Sequence, residues 1–149
     1  MLLVRLGSGA QWTVYAATHA NGSCPVLDLV GALDKKRGAK VLSDLQQFVP
    51  ISTPRDWVAM DFSWKLEGCD SILEFRWPTK KGGTPRVLWF YDRDKVIICT
   101  HGIAKKGKLG NEELERAEAV RKMYLAARGA GTLEVVDLTK FGSEEDHTE

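Results

Sequence analysis

The chain has 149 residues, 44% of them apolar, and a formal net charge of +1, which fits one domain with a buried core and leaves too little chain for two. No unbroken apolar run exceeds five residues, the length of Val87 to Tyr91, far short of the roughly 20 that cross a bilayer, and Met1-Leu2-Leu3-Val4-Arg5 is too short for the apolar region of a secretory signal, so a cytoplasmic protein with no membrane partner is expected. Three cysteines, Cys24, Cys69 and Cys99, without a Cys-x-x-Cys spacing, point to neither a disulfide framework nor a zinc site, and no metal or other cofactor is expected.

In chain order, Trp12-Thr13-Val14-Tyr15-Ala16 alternates bulky and small residues and predicts a first strand, turned by Asn21-Gly22-Ser23. Pro25 followed by Val26, Leu29, Val30 and Leu33 predicts a short amphipathic helix that ends before Lys35. Val41, Leu42, Leu45 and Phe48 repeat the helical spacing, which makes a helical hairpin, with Asp34-Lys35-Lys36-Arg37 read as its solvated connection. After a loop bracketed by Pro50 and Pro54, period-two alternation returns at Phe62 to Leu66.

From Ile72 to Trp77, alternation places Leu73, Phe75 and Trp77 on one face and Ile72, Glu74 and Arg76 on the other, a helix-covered face and a charged face. Gly82-Gly83 turns this strand into Arg86 to Tyr91, and Asp92-Arg93-Asp94 breaks that run from Val96 to Thr100, an antiparallel hairpin. Asn111 is a good N-cap, Glu112 and Glu113 favour the positive end of a helix, and Leu114, Ala117, Val120, Tyr124 and Ala127 form its apolar stripe, closed by Gly129. Thr132 to Leu138 fits a last strand or an extended arm, and the tail Glu144-Glu145-Asp146-His147-Thr148-Glu149 is predicted disordered. The fold class that follows is α+β: a small antiparallel-rich sheet with an N-terminal helical hairpin and a C-terminal helix.

Charge is unevenly spread. Between Arg76 and Lys108 there are nine Lys or Arg and two Asp, a local charge of +7, and cations at the ends of apolar strands are how a small sheet presents itself to phosphate. Arg76 and Arg86 fall on either side of the glycine turn, so a tight hairpin brings them together, and the planar guanidinium fork matches phosphate oxygens. Either arginine alternatively pairs with Glu74 as structural chemistry. Lys105, Lys106 and Lys108 form a basic loop, which is either a solvated loop or a backbone contact. His101 titrates near ~6.5 when unperturbed and suits acid–base chemistry, although a strand histidine is more often a packed core group. Of the tryptophans, Trp77 and Trp89 fall with the buried side, and Trp57 is the one nominated for a binding role.

The order β-α-α-β-β-β-β-α, with Lys65-x-x-Gly68, Glu74-x-Arg76, Arg86-x-x-x-x-Tyr91 and Gly102-x-x-Lys105-Lys106, resembles the RelE/ParE superfamily of bacterial and phage toxins, and within it the HigB-like branch. The resemblance covers residues 12 to 128. It implies a RelE-like domain over 1–128, with 1–11 an extension, and a C-terminal extension over 129–149. It also implies a type II toxin that acts as a metal-independent, ribosome-associated messenger-RNA endoribonuclease, neutralised by a cognate helix-turn-helix antitoxin. In that setting Arg76, Arg86, Lys105, Lys106, His101 and Glu74 are the expected catalytic residues, and Lys65, Lys80, Lys81 and Lys108 the expected RNA contacts. The chain departs from the best-known ribonuclease members at Ile72 and Glu74, where they carry lysine. Two alternatives stand beside it: a ParE-like toxin that inhibits DNA gyrase without cutting RNA, and a non-catalytic RNA-binding phage regulator.

Overall fold

The computed structural model describes residues 1–8, 12–47, 63–65, 72–79, 82–93, 95–107 and 109–142, with backbone alone described for 63–65. Leu2–Ser8 (β1) and Thr13–Ala17 (β2) open the chain, followed by the helices Pro25–Ala32 (α1) and Lys35–Gln46 (α2). Four strands come next, Ser63–Lys65 (β3), Leu73–Arg76 (β4), Thr84–Asp92 (β5) and Val96–Lys105 (β6). The long helix Asn111–Ala130 (α3), the strand Glu134–Asp137 (β7) and a 3-10 turn at Leu138–Lys140 complete the fold.

The strands join one sheet in the order β3-β4-β5-β6-β2-β1-β7. Pairing is antiparallel from β3 through β6 and between β1 and β2, and parallel at β2–β6 and β1–β7, so the expected antiparallel-rich α+β fold is what forms. From β2 to α3 the order of elements and both β-hairpins follow the sequence reading, and Lys95, just before β6, takes a left-handed φ of 59°.

The N-terminal segment, outside the family resemblance, forms an inner strand. Leu3, Val4 and Leu6 of β1 are all buried, because Leu2 to Leu6 places apolar side chains on both sides of a sheet covered on both faces. Its far edge is taken by β7, which settles Thr132 to Leu138 as strand followed by a 3-10 turn rather than an arm.

Asp34 to Arg37 is largely exposed, as expected, but it is the start of α2 and not a connection. Asp34 is the N-cap of α2, accepting from the Arg37 backbone N–H at 2.9 Å, and Lys35 begins the helix. An aspartate before a helical run commonly caps it, and here it lets α2 follow α1 with almost no linker. The last helix starts from Gly110, not Asn111, as N-cap, so Asn111 is its first helical residue, and it runs past Gly129 to stop at Gly131, whose φ of 70° gives the left-handed cap.

Both faces of the sheet are covered. Against α1 and α2 lie Val4, Leu6, Val14, Leu73, Phe75, Val87, Trp89 and Ile97, with Phe75 and Trp89 stacked at 4.6 Å. Against α3 lie Leu3, Ile72, Leu88, Phe90 and Ile98, which meet Ala117 and Tyr124. The second face was expected to be charged, and that is corrected. Glu74 and Arg76 suggested it in β4 alone, while the other strands bring apolar side chains to the same side, and only its end carries charge.

Candidate functional site

Register assembles that charged end. Across β4 and β5, Arg76 stands opposite Arg86 and Glu74 opposite Leu88; across β5 and β6, Leu88 stands opposite His101, Arg86 opposite Ile103 and Thr84 opposite Lys105. The alternate positions Glu74 and Arg76 share one side of β4, so the hairpin through Gly82-Gly83 brings the two arginines together as the sequence suggested.

Glu74 is the centre of the cluster. It is fully buried, and its Oε1 accepts from Arg76 Nε at 2.7 Å while its Oε2 accepts from Arg86 Nη1 at 3.5 Å. A carboxylate so deep in the protein is tolerable only because two cations and their donors replace its lost water. Arg76 keeps about 34% of its side chain exposed, whereas Arg86 is buried, with only 7% of the residue exposed. Arg86 Nη2 also donates to the Gly107 carbonyl, which ties the basic loop after β6 onto the cluster. Its Nε is a buried donor with no hydrogen-bond partner among the described residues. Both arginines thus pair with Glu74, Arg76 from a partly exposed position and Arg86 from a buried one.

His101 reaches the same face through a register shift. Trp89 pairs with Cys99 and Leu88 with His101, so Thr100 is an extra residue in β6. Such a bulge reverses the alternation beyond it. It sends His101 toward α3 and turns Gly102 toward α1, where a Cβ would lie 2.5 Å from Leu29 Cδ2 and 2.9 Å from Leu29 Cβ. The imidazole is fully buried, with Nε2 2.7 Å from Glu113 Oε2 and Nδ1 3.0 Å from Thr100 Oγ1. Burial pushes its pKa below the usual histidine value, against the opposing hydrogen bond from Glu113. The ring thus fastens the first turn of α3 to β6 from inside.

Lys105, at the end of β6, and Lys106, just after it, are exposed on the rows beyond Arg86. Lys65 contributes backbone to β3, opposite Leu73. Lys80, Lys81 and Lys108 lie outside the described residues, as do Trp57, Cys69 and the tail 143–149. The structure therefore brings Glu74, Arg76 and Arg86 into direct contact, sets Lys105 and Lys106 beside them, and holds His101 one row away in the interior. Cys24 and Cys99 are buried thiols whose pKa burial raises. Among the described residues no three His, Cys, Asp or Glu side chains are arranged to hold a metal ion, and no helix is long and apolar enough to cross a membrane.

Sequence reasoning missed Gly107 and Glu113. The first contributes only a carbonyl, which no residue type announces, and the second was read as a helix-start charge. It also missed the basic stripe Lys36, Arg37 and Lys40 on α2, although the Lys36–Lys40 spacing of four places both on one side of a helix once Asp34 is recognised as a cap.

Residues 28–123, from α1 to the middle of α3, match the sequence model of the family described as Phage derived protein Gp49-like (DUF891). No curated protein and no solved structure matches the chain.

Proposed function

We propose, for a chain that belongs to the phage-derived Gp49-like family, that it is the toxin of a type II toxin–antitoxin system, similar to HigB and the wider RelE group. Its activity is that of a ribosome-associated messenger-RNA endoribonuclease. One observation carries this: two arginines face each other in the β4–β5 ladder, fixed by the buried Glu74, beside the exposed Lys105 and Lys106. Fixed cations are what a phosphoryl centre needs as negative charge grows on it during attack by the neighbouring 2′-hydroxyl. That attack breaks the bond to the 5′ oxygen and leaves a 2′,3′-cyclic phosphate and a 5′-hydroxyl.

Roles divide by exposure. Arg76, Lys105 and Lys106 face the phosphate. Arg86 and Glu74 act through them, holding the Arg76 guanidinium and the loop that carries Lys106. His101 positions α3 and stays neutral at pH 7, since burial lowers its pKa. A cognate helix-turn-helix antitoxin silences the toxin by covering the cation cluster, whose charge it must neutralise.

The test is induction in cells followed by mapping of transcript ends, with and without the antitoxin. Cuts inside translated regions that disappear on antitoxin co-expression support the proposal; intact transcripts overturn it. A second reading has its own observation: Glu74 draws on both guanidiniums, as expected of a toxin that binds a protein such as DNA gyrase without cutting RNA. Double-strand DNA breaks with intact messenger RNA would select it.

A further inference from the structure

The α2 helix and the end of the β4–β5 hairpin enclose a second cationic feature, on the opposite side of the sheet edge from the Glu74 carboxylate. A cleft of about 650 Å³ is lined there by Lys36, Arg37, Lys40, Arg76, Trp77 and Pro85, among others, a volume in the range of roughly 300–1,000 Å³ typical of small-ligand sites. Among the described residues four cations line it against one carboxylate, Asp44, and that carboxylate already accepts from Trp77 Nε1 at 2.8 Å and from Lys40 Nζ at 3.1 Å. Lys36 and Lys40 are exposed, four residues apart on one side of α2. Arg37 is braced by its contact to the Gly83 carbonyl at 3.3 Å, which fixes the helix against the hairpin. The apolar wall is Trp77, half-buried and held by Asp44, with Pro85 and Val41.

We propose that this cleft binds one nucleotide of a single-stranded RNA, with its base against Trp77 and the flanking phosphates on Lys36, Lys40 and Arg37. The combination of a flat aromatic wall with cations on either side is the arrangement by which proteins hold unpaired bases without reading sequence. An acidic peptide would match the charge but has no use for the aromatic wall. Arg76 lines the cleft and also pairs with Glu74, so a strand seated here continues directly to the proposed reaction centre. The inference rests on the ribonuclease reading for its choice of RNA, and it adds a subsite that places the strand.

The test is fluorescence-anisotropy binding of a labelled 2′-O-methyl oligonucleotide, which is not cleaved and so separates binding from chemistry, to the full chain and to Lys36→Glu/Lys40→Glu. Both positions are exposed, and circular dichroism checks the fold of the variant. The wild type should bind with salt-dependent affinity, and the variant should bind at least tenfold more weakly, its dependence of log affinity on log salt shallower by about 1.4, or about 0.7 per lost phosphate contact. Trp77 emission should change on binding, a change absent in Trp77→Phe. Equal affinity and equal salt dependence in wild type and variant would overturn the cleft while leaving RNA cleavage standing. Binding that needs the two lysines in a protein that never cuts RNA would retain the cleft and discard the nuclease. Saturable binding of a labelled acidic octapeptide with no binding of RNA would assign the surface to a protein partner and overturn the proposal.

Discussion

Arg76 and Arg86 stand directly opposite one another in the β4–β5 ladder, two cations side by side on one face of a sheet. Like charges in that relation destabilise a sheet, and what makes it tenable is Glu74, buried between them. Glu74→Gln should therefore lower stability by about 3–5 kcal/mol, the range for breaking a buried ion pair from one side, read as a shift in the urea midpoint without a change in slope. A loss below about 1 kcal/mol would mean that Glu74 does not hold the pair together.

The two arginines should behave differently on truncation. Arg86→Ala removes a buried partner of Glu74 and releases the Gly107 carbonyl, so it should cost about 3 kcal/mol or more and speed tryptic cleavage after Lys105 and Lys106. Arg76→Ala, at a partly exposed site, should cost about 1 kcal/mol and leave that loop protected. Equal proteolysis of both variants would show that Arg86 does not hold the loop.

Much of this arrangement was legible in the residues, and the limit lies in particular places. The Gly82-Gly83 turn between two β-prone runs was enough to pair Arg76 with Arg86, because hairpin register is local. Glu74 was legible as a neighbour of Arg76, but not its depth, since that depends on how this face of the sheet is covered, and α3, which covers it, comes from elsewhere in the chain. That His101 is a packed, hydrogen-bonded group is the commoner expectation for a strand histidine, but the face it turns to could not be read. That face depends on one extra residue, Thr100, and nothing in Ile98-Cys99-Thr100-His101 announces a bulge. β1 was overlooked because its partners lie on both sides of it, at β2 and, more than a hundred residues away, β7.

The bulge has a packing consequence. Gly102→Ala would place a methyl group against Leu29 of α1, and overpacking of this kind costs about 1–3 kcal/mol. Thermal unfolding should show the loss, and Leu29→Ala in the same chain should recover part of it. A Gly102→Ala protein as stable as the wild type would mean that α1 shifts freely on the sheet.

Histidine burial sets a pH dependence. The folded pKa of His101 lies below its unfolded value near ~6.5, so the unfolded chain takes up a proton that the folded chain refuses. Stability should then be full above the unfolded value and fall as the pH drops below it toward the folded pKa, by at most about 1.4 kcal/mol per pH unit. Urea midpoints between pH 7.5 and 5.5 should decline in the wild type and decline less in His101→Gln. Parallel curves for the two proteins would remove His101 as the source.

The central claim is tested most directly by the rate at which purified protein cuts messenger RNA on translating ribosomes, compared between wild type and Arg76→Ala, whose fold is checked by circular dichroism. Removing one fixed donor from a charge-stabilising centre typically lowers the rate by roughly 10²–10³, so the wild type should cleave within coding regions and Arg76→Ala should cleave at least a hundredfold more slowly. A folded Arg76→Ala protein that cuts at the wild-type rate, or a wild type that leaves every transcript intact, would contradict it.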